Sequence, residues 1–271
     1  MTTRRAAMAA GVCLLLLVAG CTAPTGETAT PPGLSADGVT DPSELVRAHT
    51  TTLQSQSFTV HTTSTMRGPE GNYRVVSNRT WRIDPTDTVR GHVVSTSRVV
   101  GDAPAQYDAR PAEVSTWRAG PTTYRRVRTG DDATYRRVAL FNSSVKLSAA
   151  LQRQAIYRLH TRTNATVEPV SRDGRRLYRV TASLNDTAVT TNASMTMLVD
   201  AEGVVRRLRT TQTVQYRSGT RVITRTVRIT DVGSTTVDRP DWYSTAVAEA
   251  GDPTPTPGAA HARARGSDGS S

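Results

Sequence analysis

The chain has 271 residues, a formal charge of +11 and an aromatic content of 5% with only 2 Phe, which bounds it to one domain of ordinary-to-large size whose core must come mainly from Val, Leu, Ile, Met and a few Tyr and Trp. The charge is almost all arginine, Lys146 being the only lysine, and the arginines are spread over many segments without interleaved aromatic platforms or a reading helix, which argues against nucleic acid as a partner. Cys13 and Cys21 are the only cysteines, and Cys13 falls in a segment expected to be removed, so an internal disulfide is excluded and the mature chain relies on burial and hydrogen bonding.

In chain order, Arg4 and Arg5 open the sequence and an apolar stretch from Ala6 to Ala19 follows, containing Leu14 to Leu17. It is too short for a bilayer, which takes roughly 20 apolar residues. A charged start, a short apolar run and small residues before a cut site make a signal peptide. The run ends in Leu17-Val18-Ala19-Gly20-Cys21, which resembles the lipobox of prokaryotic lipoproteins: Ala19 and Gly20 fit a peptidase groove and the thiol of Cys21 takes the lipid. Residues 1–20 are therefore expected to be a lipoprotein signal peptide, and Cys21 the lipid attachment site of a chain anchored outside the cytoplasm, facing outward. Removing residues 1–20 leaves a formal charge of +9. The Arg4-Arg5 pair leaves both general and twin-arginine export open. Residues 21–40, rich in Thr, Pro, Gly, Ala and Ser, read as a disordered tether, and residues 248–271, with Asp252-Pro253-Thr254-Pro255-Thr256-Pro257, as a disordered tail. The folded domain is then expected over residues 41–247.

Asp41-Pro42-Ser43-Glu44 predicts a helix start, with Asp41 as N-cap, Pro42 at the first helical position and Glu44 in the first turn. A strand pattern takes over at Phe58, Val60 and Met66, turns at Gly68-Pro69-Glu70-Gly71, and returns through Tyr73, Val75, Trp81 and Ile83. Further strands are predicted near Val89–Val100, Glu113–Arg118, Thr122–Arg128 and Ala133–Leu140, with Gly130-Asp131-Asp132 as a hairpin turn. Leu147, Leu151, Ala155 and Leu159 recur at helical spacing and predict a second helix over Ser144–Leu159. Strands resume at Thr166–Val170, Arg175–Leu184, Ala193–Asp200, Val204–Tyr216 and Thr220–Val232, and Asp173-Gly174 is a strong hairpin signal. One strand face carries apolar and aromatic residues, the other Thr, Arg and Ser. The expected class is α+β: a strongly curved, mostly antiparallel sheet with about two helices in its hollow. The order of one helix followed by several strands occurs twice.

Catalytic motifs are sparse. His49, His61, His92, His160 and His261 show no metal-ligand spacing, no Gly-x-Ser-x-Gly elbow occurs, and the glycines fall in hairpin turns rather than a phosphate loop. Asp131-Asp132 reads as a polar turn rather than a cation site. No enzyme activity, metal or cofactor is expected. Asn78, Asn142, Asn164, Asn185 and Asn192 each begin an Asn-x-Ser/Thr sequon, leaving only Asn72 outside one, which points to a glycosylated surface protein.

Leu198-Val199-Asp200-Ala201-Glu202-Gly203-Val204 resembles the Asp-x-x-Gly hairpin of lipoproteins of the LolA and LppX/LprG type, as does the closing Arg239-Pro240-Asp241-Trp242. With the lipobox and the Thr/Pro tether, the sequence also resembles a group of uncharacterised haloarchaeal surface lipoproteins. The resemblance implies an incomplete β-barrel wrapped around helices, with a hollow that carries lipid or acyl chains. Two functions follow. In the first, the chain carries or binds a lipid or other apolar ligand, with Met195, Met197 and Val199 lining the cavity. In the second, it is a non-catalytic envelope interaction protein whose basic surface meets acidic glycans or surface-layer protein. A hollow filled by Leu147, Leu151 and Ala155 would favour the second.

Overall fold

Asp41 sets where the first helix begins. Its backbone is extended and its Oδ1 accepts from the N–H groups of Ser43 at 2.8 Å and Glu44 at 3.3 Å, satisfying donors that a helix start leaves open. In the computed structural model, which describes residues 30–85, 90–107, 112–119, 122–138, 147 and 149–250, this helix, α1, spans Pro42–Gln54 and buries Leu45, Val46, His49 and Leu53. The expected signal segment, Cys21, Asn142 and residues 251–271 of the expected tail lie outside the described residues.

Two short strands precede it, β1 (Leu34–Ser35) and β2 (Gly38–Val39). After α1 come β3 (Phe58–Arg67), β4 (Tyr73–Asp84), β5 (Arg90–Gly101), β6 (Ala112–Ala119), β7 (Thr122–Thr129) and β8 (Asp132–Val138). The helix α2 (Arg153–Tyr157) is followed by β9 (Arg162–Arg172), β10 (Arg175–Leu184), β11 (Thr190–Val199), β12 (Val205–Tyr216) and β13 (Gly219–Thr230), and α3 spans Tyr243–Glu249. Strands β3–β13 form one 11-stranded sheet in the order β8-β7-β6-β5-β4-β3-β13-β12-β11-β10-β9. Every pairing in it is antiparallel. The sheet is therefore two meanders, each led by helical residues, joined where β3 pairs with β13. It does not close, and β8 and β9 are its edges.

Side chains alternate faces along each strand. On the inner face, Phe58, Val60, Val180, Met195, Met197, Val199, Leu208, Val227 and Ile229 converge on Leu45 and Leu53 of α1 and on Leu151, Ile156 and Leu159, forming one core. On the opposite face, Trp117 and Tyr124 face each other across β6 and β7 and are covered by Trp242, Tyr243 and Ala246 of the closing segment. The Trp117 indole N–H donates to the Asp238 carbonyl at 3.0 Å, and the Tyr124 and Tyr243 rings meet edge to face at 5.3 Å.

Three expectations change. Residues 30–40, read as the end of a tether, pack into the fold: Leu34 and Val39 are 6% and 8% exposed members of the core, the N–H groups of Thr40 and Asp41 donate to the Gly33 carbonyl, and Arg162 Nη2 donates to the Val39 carbonyl at 2.8 Å. Two apolar residues in a Pro/Gly-rich run suffice to dock it. The second helix is interrupted: Leu151 N–H bonds back to the Leu147 carbonyl, then Gln152 adopts φ 54° and α2 begins after it. Gln152 is held there by its own side chain, whose Nε2 donates to the carbonyls of Ala149 and Ala150 while its Oε1 accepts from Arg225. Finally, the fold runs past residue 247, because α3 reaches Glu249 and Ala250 packs on the aromatic cluster.

The docking of residues 30–40 can be checked at Gly33. Its φ is +78°, and an added Cβ would sit 2.1 Å from the Asp41 carbonyl oxygen. Gly71 has the same φ with nothing within 4 Å, so Gly71→Ala measures the conformational cost alone. Gly33→Ala is expected to destabilise by about 1–3 kcal/mol more than Gly71→Ala in thermal unfolding; equal melting shifts would show that this contact contributes nothing.

Candidate ligand cavity

Among the described residues, helices close half of the inner face and leave the other half open. The open half lies on β4 to β8, where cross-strand register makes three rows. Trp81, Val93, Thr116 and Arg125 form the middle row, and Arg79, Ser95 and Val114 lie on one side of it. Ile83, Gly91, Arg118, Thr123 and Val138 lie on the other. A cavity of about 410 Å³ rests on these rows, with Leu147 and Arg90 completing its wall. Its depth has a sequence origin. Gly91, Ser95 and Thr116 place small side chains among Trp81, Ile83, Val93 and Val114, so the floor is apolar but not filled.

The polar groups around this floor are mostly arginine, and among the described residues no carboxylate lines the cavity. Arg79 donates from Nε to Ser95 Oγ at 2.8 Å, and its guanidinium carbon lies 5.6 Å from the Trp81 ring centroid, a cation–π distance. Burial holds the Arg118 guanidinium below its ordinary pKa. The Trp81 indole N–H and the Thr123 hydroxyl are buried, with no acceptor or donor for them among the described residues. A wider polar groove of about 1120 Å³ crosses the opposite face near Arg172, Arg207 and Arg228. It mixes these with Asp200, Glu202 and Asp231 and with the apolar Leu177, Leu198 and Ile229.

Met195, Met197 and Val199, expected to line a ligand cavity, are placed elsewhere: all three sit in the packed core against the helices, and none borders the open cavity. The helical face also divides. Leu151 is buried and Ala155 packs on the core, whereas Leu147 borders the cavity. Asn78, Asn164, Asn185 and Asn192 are all exposed. His49 is a satisfied core group: its Nε2–H donates to the Leu151 carbonyl at 2.9 Å and its Nδ1 accepts from Val205 N–H at 3.1 Å. The Asp-x-x-Gly hairpin is held from within, since Asp200 accepts from Val204 N–H at 2.7 Å and from Arg206 Nε at 2.6 Å. Among the described residues, no three His, Cys, Asp or Glu side chains approach as a metal site would require, and no helix is long and apolar enough to cross a membrane.

The chain is similar to several solved structures at low identity. LprF from Mycobacterium bovis is 12% identical, with 75% of this chain and 99% of that one covered and a TM-score of 0.39. A LolA superfamily protein, NE2245 from Nitrosomonas europaea, is 12% identical over 74% and 95%, with a TM-score of 0.26. A DUF1329 family protein from Desulfovibrio piger is 10% identical over 77% and 97%, with a TM-score of 0.27. No curated protein matches. Residues 6–246 match the model of DUF7537, a family of unknown function, and the chain belongs to that family.

Proposed function

We propose that this chain is an exported, lipid-anchored, non-catalytic protein of LolA-like kind, tethered through Cys21, that binds an apolar ligand such as an acyl chain in the cavity over β4–β8. The observation that carries the reading is the unfilled apolar floor beside Trp81, Val93 and Leu147. Its 410 Å³ falls within the range of about 300–1,000 Å³ usual for small-molecule pockets. Water in such a space finds few partners, so an apolar group that displaces it gains free energy in proportion to the area buried.

Native mass spectrometry of the full chain, with lipid extraction, tests this. The expected result is a co-purifying lipid of defined mass near unit stoichiometry, lost in Val93→Trp, which fills the floor, while the melting temperature is kept. Equal lipid on Val93→Trp would move the ligand away from this cavity. The anchor has its own test: Cys21→Ala is expected to shift the protein from the membrane to the medium or leave it unprocessed, and unchanged membrane retention would refute it.

A second reading, a glycosylated surface protein meeting acidic envelope glycans or surface-layer protein, draws on the exposure of Asn78, Asn164, Asn185 and Asn192. It also draws on the arginines that crowd the opposite face, where Arg228, Arg172 and Arg209 lower the pKa of Arg207 after burial does. The intact mass of native protein decides the glycan question; a mass equal to the bare lipidated chain ends it.

A further inference from the structure

The cavity combines an apolar floor with an unusual charge pattern. Arg79 and Arg125 both project from its inner-face rows and both are exposed. Arg79 is oriented rather than free: Ser95 takes its Nε and the Trp81 ring lies beneath its guanidinium. Among the described residues, Arg79 and Arg125 form no ion pair. The acid on β6 cannot do so, because Glu113 points to the opposite face and is held there by Arg126 at 2.6 Å and Arg128 at 3.3 Å. Like charges gathered beside an apolar surface without a counter-charge make a positive potential that an anion relieves. A guanidinium fork presents paired donors that match a carboxylate or phosphate.

Resting on the ligand-binding reading above, we propose that the cavity takes an anionic amphiphile: its chain lies on Trp81, Val93 and Leu147, and its carboxylate or phosphate head is held by Arg79 and Arg125. A neutral lipid of equal length gains the floor but not the arginines. A small anion gains the arginines but not the floor. The two parts of the site therefore recognise the two parts of one molecule.

The test uses the full chain with Cys21→Ser, so that no attached lipid competes, titrated calorimetrically at neutral pH with laurate, dodecyl phosphate, the neutral ester monolaurin, and inorganic phosphate. Laurate and dodecyl phosphate are expected to bind on the order of tenfold more tightly than monolaurin, with no heat from inorganic phosphate. Arg79→Gln/Arg125→Gln should bring both anionic lipids down to the affinity of monolaurin and leave monolaurin unchanged, which also shows that the variant folds. Arg125→Gln alone, at an exposed position, should give part of the same loss. Equal affinity for all three dodecyl ligands would overturn the anionic class and leave the apolar-ligand reading standing. Binding of none would overturn both. Inorganic phosphate binding as tightly as dodecyl phosphate would show an anion site without a chain and overturn the amphiphile.

Discussion

His49→Ala is expected to destabilise the chain by about 3 kcal/mol, because one side chain satisfies two buried backbone groups on two different elements. Its ring is 0% exposed, and it joins α1 to the Leu151 carbonyl and to the N–H of Val205 at the start of β12. Alanine leaves both groups buried without partners, at about 1–3 kcal/mol each. The same environment gives a pH signature. Burial, with help from the Arg206 charge and against the Leu151 carbonyl, lowers the His49 pKa from 6.5 to about 4. Above pH 6.5 the ring is neutral in folded and unfolded chains alike, and its contribution is complete. As pH falls from 6.5 towards 4 the unfolded chain takes up a proton that the native chain refuses, so stability is lost across that window, by about 3 kcal/mol in all. Urea unfolding of the parent and of His49→Gln at several pH values isolates this, since other titrating groups are common to both. If the two curves fall in parallel, the histidine is not the source.

Met197→Ala should cost about 2–5 kcal/mol and leave ligand binding as it is. Met197 is 0% exposed, opposite Val180 on β10 and Leu208 on β12, in the half of the hollow that the helices fill. Truncation leaves a void among close-packed neighbours that cannot collapse fully. A cost of that size is a large share of the 5–15 kcal/mol that holds a typical domain together. The readout is a lower urea midpoint at constant m-value with the same lipid occupancy in native mass spectrometry. Lost occupancy in a variant of unchanged stability would place the ligand beside the methionines instead.

What the sequence made legible were features written locally. Asp41 and Pro42 mark the start of α1, alternation from Phe58 to Ile83 marks the first hairpin, and Asp173-Gly174 marks the turn between β9 and β10. Alternation also told inner from outer face, since it needs only neighbouring residues. The features that escaped it depend on distant partners. Gln152 reads as an ordinary helical residue until Arg225, from β13, holds its side chain. Leu34 and Val39 look like linker until the core beside β9 receives them. Nothing near Phe58 announces that β3 will pair with β13, and that pairing joins the two meanders. The cavity is of the same kind: Met195 and Met197 are the more apolar residues, but whether a floor is filled depends on which strands the helices reach. The small residues Gly91, Ser95 and Thr116 were its one local sign.

An open sheet leaves two rims of unspent backbone donors and acceptors, and each rim here is blocked in its own way. On β9, Pro169 has no N–H to offer, and β2 lies alongside, with Gly38 close to the Ala165 carbonyl. On β8, Arg136 and Arg137 hold exposed charge along the strand, and α3 packs against it. A neighbouring copy approaching either rim meets a missing donor, an occupied flank or its own positive charge. Strand-by-strand growth into fibres is thereby disfavoured, and a sheet that never closes into a barrel can still be crowded densely without polymerising.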